Sequence, residues 1–187
     1  MRDQEVDGER LTPAEIASNV KVMLVGGMQE PGDAVGIGLW ALLSHREQAD
    51  AVRAEPDRLI RPAVEEGLRW VSPVGTSTRQ TTRATTVGGI RLEEGALLAA
   101  VVSSANRDER HWEEADRYDL GRRGAHLAFA AGTHHCVGAW LARAEVRTAF
   151  RVLFERLPNL RLDEERPAEL HGWEFRGPKH LHVRWDA

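Results

Sequence analysis

The chain has 187 residues, 42% of them hydrophobic, and a formal net charge of −4, enough for the core of one domain or a piece of a larger one. Mild acidity without a Lys/Arg cluster or an aromatic platform argues against nucleic acid as the main partner. A single cysteine excludes an internal disulfide framework, and no apolar run reaches the roughly 18–20 residues that span a bilayer.

The first eight residues, Met1 to Gly8, are charged and lack a signal-peptide pattern, so a cytoplasmic, largely helical protein is expected. Thr12-Pro13-Ala14-Glu15 is a helix start: Thr12 caps, Pro13 suits the first position and Glu15 closes a capping box. Apolar residues then run from Ile16 to Leu43 on several sides, which predicts a long, central, buried element. Its middle, Val25-Gly26-Gly27-Met28-Gln29-Glu30-Pro31-Gly32, is poor in helix formers, and Pro31 removes a backbone donor. Two readings fit: two helices joined by a Gly/Pro loop, or one interrupted helix whose break lets a ligand approach the backbone.

Ser44-His45-Arg46-Glu47 predicts a second capping box and a short helix to about Ala54, stopped at Pro56. Arg61-Pro62 opens another, with Val64, Leu68 and Val71 on one stripe and Ser72-Pro73 as its stop. Glu66 and Arg69, three apart, are neighbours on it; alone, such a pair is usually a solvated bridge of little energetic value. From Val74 the period changes, and Thr86–Leu92, then Glu93-Glu94-Gly95 and Ala96–Val102, reads as a strand hairpin. The polar stretch from Ala105 to Arg123 reads as an irregular meander anchored by Trp112 and Tyr118. A helix follows from Ala139 to about Leu157, ended by Pro158-Asn159. The tail alternates around Gly177-Pro178, which predicts a closing hairpin turning there.

The lone cysteine sits in Phe129-Ala130-Ala131-Gly132-Thr133-His134-His135-Cys136-Val137-Gly138. A lone Cys is most often a small buried hydrophobe. Zinc ligation by His134, His135 and Cys136 lacks the usual spacing, and a Cys nucleophile paired with His lacks a well-placed orienter. A thiolate before a helix is favoured by unsatisfied N–H groups and the helix dipole. Gly132 and Gly138 let the backbone approach something flat, Phe129 can stack beside it, and His134 can reach a carboxylate on its edge. Iron accepts such a thiolate, whose electron density favours O–O cleavage.

Phe129-x-x-Gly132-x-His134-x-Cys136-x-Gly138 resembles the haem-binding signature of the cytochrome P-450 family, F-G-x-G-x-H-x-C-x-G, with Ala130 in place of its first glycine. Glu66-Gly67-Leu68-Arg69 matches that family's E-x-x-R. The resemblance implies a mainly α fold with small β-sheets (α+β): the C-terminal portion of the cytochrome P-450 fold, with a long central helix, E-x-x-R helix, meander, cysteine loop and following helix. Residues 1–187 would form a single partial domain, with the family's N-terminal half absent. It further implies haem b as cofactor, Cys136 as iron ligand, Arg79 and His134 on the propionates, and Arg117 completing a buried network with Glu66 and Arg69. Gly26 and Gly27 would lie over the distal face. There the family carries an acid and an alcohol that serve in proton delivery; Gln29 stands for the acid and Glu30 for the alcohol, and Glu30 is expected to act as the relay.

Val25, Met28, Val74, Gly75, Thr76 and Phe175 would face substrate. The implied activity is a haem-thiolate monooxygenase, or a portion of one, using dioxygen to oxidise a small organic substrate, with electrons from NAD(P)H through a ferredoxin or similar donor and its reductase. Arg143 and Arg147 would meet that donor. The alternative is a catalytically inactive haem-binding remnant or interaction fragment. Either way, the lone chain is expected to oligomerise or dissolve poorly without a partner piece.

Overall fold

The computed structural model describes residues 5–6 and 8–186. A short ribbon of β1 (Glu5–Val6) and β2 (Glu9–Arg10) precedes α1 (Pro13–Met28) and α2 (Glu30–Leu43). The capping box forms as expected: the Glu15 amide donates to the Thr12 hydroxyl at 3.3 Å, and the Thr12 amide donates to the Glu15 carboxylate at 2.8 Å. The Gly/Pro stretch does not open into a loop. Only Gln29 lies between the helices, itself in right-handed helical conformation, and its carbonyl accepts from the Asp33 amide at 3.0 Å. The element is one interrupted helix. Its expected burial holds for α2 alone, because no residue of α1 is buried.

Next come α3 (Arg46–Ala54) and α4 (Pro56–Val71). Ser44 does not cap α3; its hydroxyl donates backwards to the Trp40 carbonyl at 2.8 Å. The fourth helix begins at Pro56 rather than at Arg61, leaving Pro62 inside it. An internal proline costs about 3 kcal/mol, and the packing of Leu59, Ile60, Ala63, Val64, Leu68 and Val71 into the core outweighs it. The α4 helix crosses α2 so closely that a Cβ on Gly67 would stand 3.0 Å from the Cα of Gly38, and one on Gly38 would stand 3.1 Å from the ring of Phe150. Only glycine permits that crossing.

Two antiparallel pairs follow: β3 (Ser77–Gln80) with β6 (Leu97–Ala100), and inside it β4 (Thr85–Val87) with β5 (Ile90–Leu92), turning at Gly88-Gly89, so Thr86–Leu92 folds on itself and does not pair with Ala96–Val102 as expected. After the short α5 (Val102–Ala105) the meander runs without regular structure to a 3-10 turn at Gly132–His134, then α6 (Ala139–Arg156). Trp112 and Tyr118 anchor the meander, both buried. The tail carries β7 (Arg161–Leu162), β8 (Leu170–His171), β9 (Gly177–Pro178) and β10 (Val183–Arg184), pairing β7 with β10 and β8 with β9. Gly177-Pro178 is thus a strand and not the turn. It lies flat on α2, where a Cβ on Gly177 would come within 2.9 Å of Asp33 Oδ1, while the chain reverses between Gly172 (φ 92°) and Arg176. Among the described residues, no helix is long and apolar enough to cross a membrane.

Candidate functional site

The cysteine loop joins the end of the meander to α6. Its closing rung is the Cys136 amide donating to the Phe129 carbonyl at 2.9 Å, and the Cys136 carbonyl accepts from Ala139 at 3.2 Å, which starts the helix. Ala130 and Gly132 reverse the chain with φ of 56° and 65°. The residues present fit a flat, thiolate-ligated group. The Cys136 thiol is exposed, a side chain at Gly132 would project into open space, and a Cβ at Gly138 would lie 3.8 Å from the sulfur. His134 is exposed on the 3-10 turn.

Beneath the loop lies the buried ion-pair network. Arg69 Nε and Nη2 donate to Glu66 Oε2 and Oε1 at 2.7 and 2.8 Å, with side chains 2% and 4% exposed. The remaining guanidinium donors reach the carbonyls of Asn106 (2.7 Å), Ala115 (2.9 Å) and Arg117 (3.2 Å). Glu66 Oε1 also accepts from the Asp119 amide at 2.9 Å. All five Arg69 donors can thus be served, which is what makes a buried charge tolerable.

The third member of the network is Arg122, not Arg117. Arg122 Nε donates to Glu66 Oε1 at 3.2 Å with its side chain 11% exposed. Arg117 turns outward to Glu114 at 2.9 Å and contributes only its carbonyl to the network. Two further polar residues escaped the sequence reading. Asn106, fully buried, donates to the Ser72 hydroxyl at 2.8 Å and accepts from the Leu127 amide at 2.7 Å. It thereby ties the end of α4, where Ser72 has φ 59°, to the segment entering the cysteine loop. Glu65 accepts from Arg143 Nε at 2.8 Å and is 3.1 Å from His126 Nε2. Burial raises its pKa, but the hydrogen bonds from His126 and Arg143 outweigh burial and hold it near 2. The sole sequence signal was its place beside Glu66.

Arg79 lies exposed on β3, where its Nη1 donates to the Ser77 hydroxyl at 2.6 Å and the Thr78 carbonyl at 2.8 Å. On the long interrupted helix, Gly26, Gly27, Val25 and Met28 are exposed, with open space beside both glycines. Gln29 Nε2 donates to Asp33 Oδ2 at 3.3 Å. Glu30 is half-buried, with Oε2 enclosed and without a hydrogen-bond partner among the described residues. Of the anticipated substrate contacts, Val74 and Phe175 form a β-bridge, and Phe175 is exposed. Gly75 and Thr76 are buried instead. The Gly75 amide donates to the Glu174 carbonyl at 2.8 Å, and a side chain there would strike Trp173 O and Arg176 Cδ at 2.6 Å. The Gly75 position is occupied by the chain's own closing hairpin. Arg143 is equally engaged, paired with Glu65 and lying 4.3 Å over the Phe129 ring, so it is not the free donor contact expected from sequence.

A family model described as cytochrome P-450 matches residues 1–169. The chain is 37% identical over 183 residues to a steroid C26-monooxygenase of Mycolicibacterium smegmatis, which covers 97% of this chain and 45% of the relative. It is 38% identical over 190 residues to the cytochrome P-450 monooxygenase PikC of Streptomyces venezuelae, covering 99% of this chain and 45% of that protein. Among solved structures, a post-tailoring hydroxylase (HmtN) involved in himastatin biosynthesis superposes with a TM-score of 0.92 at 37% identity, over 99% of this chain and 50% of that one. The chain thus spans about half the length of the proteins it matches.

Proposed function

The chain belongs to the cytochrome P-450 family, and on that premise we propose that it is the cysteine-bearing portion of a haem-thiolate monooxygenase. It takes haem b, dioxygen and a small organic substrate, receives electrons from NAD(P)H through a ferredoxin-type donor and its reductase, and works in the cytoplasm. The observation that supports this best is the Phe129–Gly138 loop, which presents an exposed thiol at the start of α6 while its base is tied to a buried charge network.

In this reading Cys136 holds the iron and the bound haem supplies dioxygen activation, favoured by thiolate electron density. The chain's own residues do the rest. Gly132 and Gly138 keep side chains away from the cofactor plane, and Phe129 orients the loop. Arg79 and His134 would hold the cofactor's propionates. To do so, Arg79 exchanges its contacts to Ser77 and Thr78, which is inexpensive for an exposed side chain. Gly26 and Gly27, with open space beside them, would let the α1 backbone approach the cofactor and its substrate, and Val25, Met28, Val74 and Phe175 would offer apolar contact to substrate.

Glu30 holds the relayed proton on Oε2, the enclosed carboxylate oxygen that has no partner among the described residues, with Gln29 positioned at the helix break beside it. A carboxylate without a competing hydrogen bond is suited to passing a proton on. Glu30→Gln is expected to lower the fraction of electrons that end in product; unchanged coupling would remove Glu30 from the relay.

The deciding experiment is the absorption spectrum of the reduced, CO-treated chain. A thiolate-type red-shifted Soret band that is lost in Cys136→Ala is the expected result. A second reading, a haem-binding or interaction fragment without turnover, draws on the exposed apolar face of α1: the thiolate band would then form while substrate oxidation stays absent.

A further inference from the structure

Phe129 is gripped from outside the loop. The Arg143 guanidinium lies 4.3 Å over its ring and the His126 ring stands 6.1 Å from it at 36°. The Ala128 amide donates to His126 Nδ1 at 3.2 Å, which leaves the ring proton on Nε2, the atom 3.1 Å from Glu65 Oε2. Glu65 Oε1 accepts from Arg143 Nε at 2.8 Å. One carboxylate on α4 therefore orients both neighbours of Phe129, one from the meander and one from α6. The Phe129 carbonyl in turn accepts the Cys136 amide.

We infer that Glu65 is a positioning residue for the cysteine ligand: through Arg143 and His126 it fixes Phe129, and through Phe129 it fixes the backbone of Cys136. The inference rests on Cys136 being the haem ligand. Charge makes Glu65 hard to replace. Arg143 lines a groove with Arg58, Arg61, Arg123 and Arg147. Without a carboxylate opposite, like-charge repulsion and hydration draw its guanidinium off the ring toward water. The gripped ring is then released on one side. His126, its side chain only 7% exposed, is left with an unpaired Nε2–H, which costs more than the lost bond itself.

The test compares wild type, Glu65→Gln and Glu65→Ala in the full chain by two measurements. In the haem-free chain, amide exchange of Cys136 is followed against that of Val52 in α3. Glu65→Ala is expected to speed exchange at Cys136 by about tenfold or more while Val52 keeps its rate, since loosening confined to the loop is local opening. Glu65→Gln, which keeps an acceptor oxygen but no charge, is expected to fall between. No change at Cys136, or equal acceleration at both sites, would overturn the inference. In the haem-loaded chain the same variants are expected to shift the ferric/ferrous midpoint potential. A lowered Tm with an unmoved potential would also overturn it, because the carboxylate would then serve the fold alone. Failure of wild type to take up haem counts against the monooxygenase reading, and the amide-exchange comparison still decides the role of Glu65 in the loop.

Discussion

Ala130 holds a left-handed backbone conformation, φ 56°, at the position where the signature it otherwise matches has glycine. That conformation costs a residue with a Cβ roughly 1–2 kcal/mol, against about 0.5–1 kcal/mol of extra chain entropy that glycine loses on folding. Ala130→Gly is therefore expected to stabilise the chain by about 0.5–1 kcal/mol, read as a higher urea midpoint. Removing a partner from the buried network works the other way. Glu66→Ala strands Arg69 and Arg122 without a carboxylate, at about 3–5 kcal/mol. The two meander arginines separate cleanly. Arg122→Ala is expected to lower Tm by several degrees because it opens the Glu66 site, whereas Arg117→Ala, which loses only an exposed bridge to Glu114, stays within about 0.5 kcal/mol.

At the scale of elements, α1 and α2 are one track with unequal support. The α2 helix is sunk between α4 and α6, with Ile37, Ala41 and Leu42 fully buried. The α1 helix buries nothing and is held by its capping box and its continuity through Gln29. Thr12→Ala, a loss of about 0.5–2 kcal/mol at a cap, is thus expected to act locally. Amide exchange should speed over the first turns of α1 while the global unfolding transition stays in place; a matching fall in the global transition would show α1 to be coupled to the core. The single-residue break follows from competition. Gly26, Gly27 and Pro31 weaken the helix, but they span too few residues to offset the hydrogen bonds on either side.

Across the whole molecule, Glu65 and Asp163 are among the carboxylates that tie distant segments, and both make stability sensitive to acid. Glu65 joins α4 to the meander and α6. Asp163, 1% exposed, joins the β7 end to β10 through Arg184 and to Arg166. Burial raises the Asp163 pKa, but the hydrogen bonds from Arg184, Arg166 and the Glu165 amide outweigh it and hold it near 2, as those on Glu65 do there. Both folded values lie below the unfolded ones, so the stability they confer is fully present above about pH 5 and is lost as pH falls from about 4 toward 2. Unfolding measured from pH 7 to 2 is expected to show that fall, and Glu65→Gln to flatten its part. The outer faces of α1 and α6 expose Val22, Leu24, Val25, Met28, Trp140 and Leu141, an apolar surface that tends to associate. Light scattering is expected to give a mass above that of the monomer, restored by Val22→Lys with Leu24→Lys; a monodisperse wild-type monomer would contradict this.

Local chemistry was sufficient for much of this molecule. The Thr12–Glu15 box, the Val64–Leu68–Val71 stripe, the Trp112 and Tyr118 anchors and the Cys136 loop each follow from residues close in sequence, because caps, periodicity and turn conformations are short-range. The pairing of Glu66 with Arg69 is equally local, one helical turn apart. What required the tertiary structure was every choice among equivalent partners far along the chain. Arg122 rather than Arg117 meets Glu66 because the meander's path decides which guanidinium points inward. Pro62 sits inside α4 because core packing outweighs a missing hydrogen bond. Gly177-Pro178 is a strand because α2 leaves room only for a flat backbone there. Glu65 orients Phe129 because α4, the meander and α6 converge on one point, and no spacing in the sequence encodes a convergence of three segments.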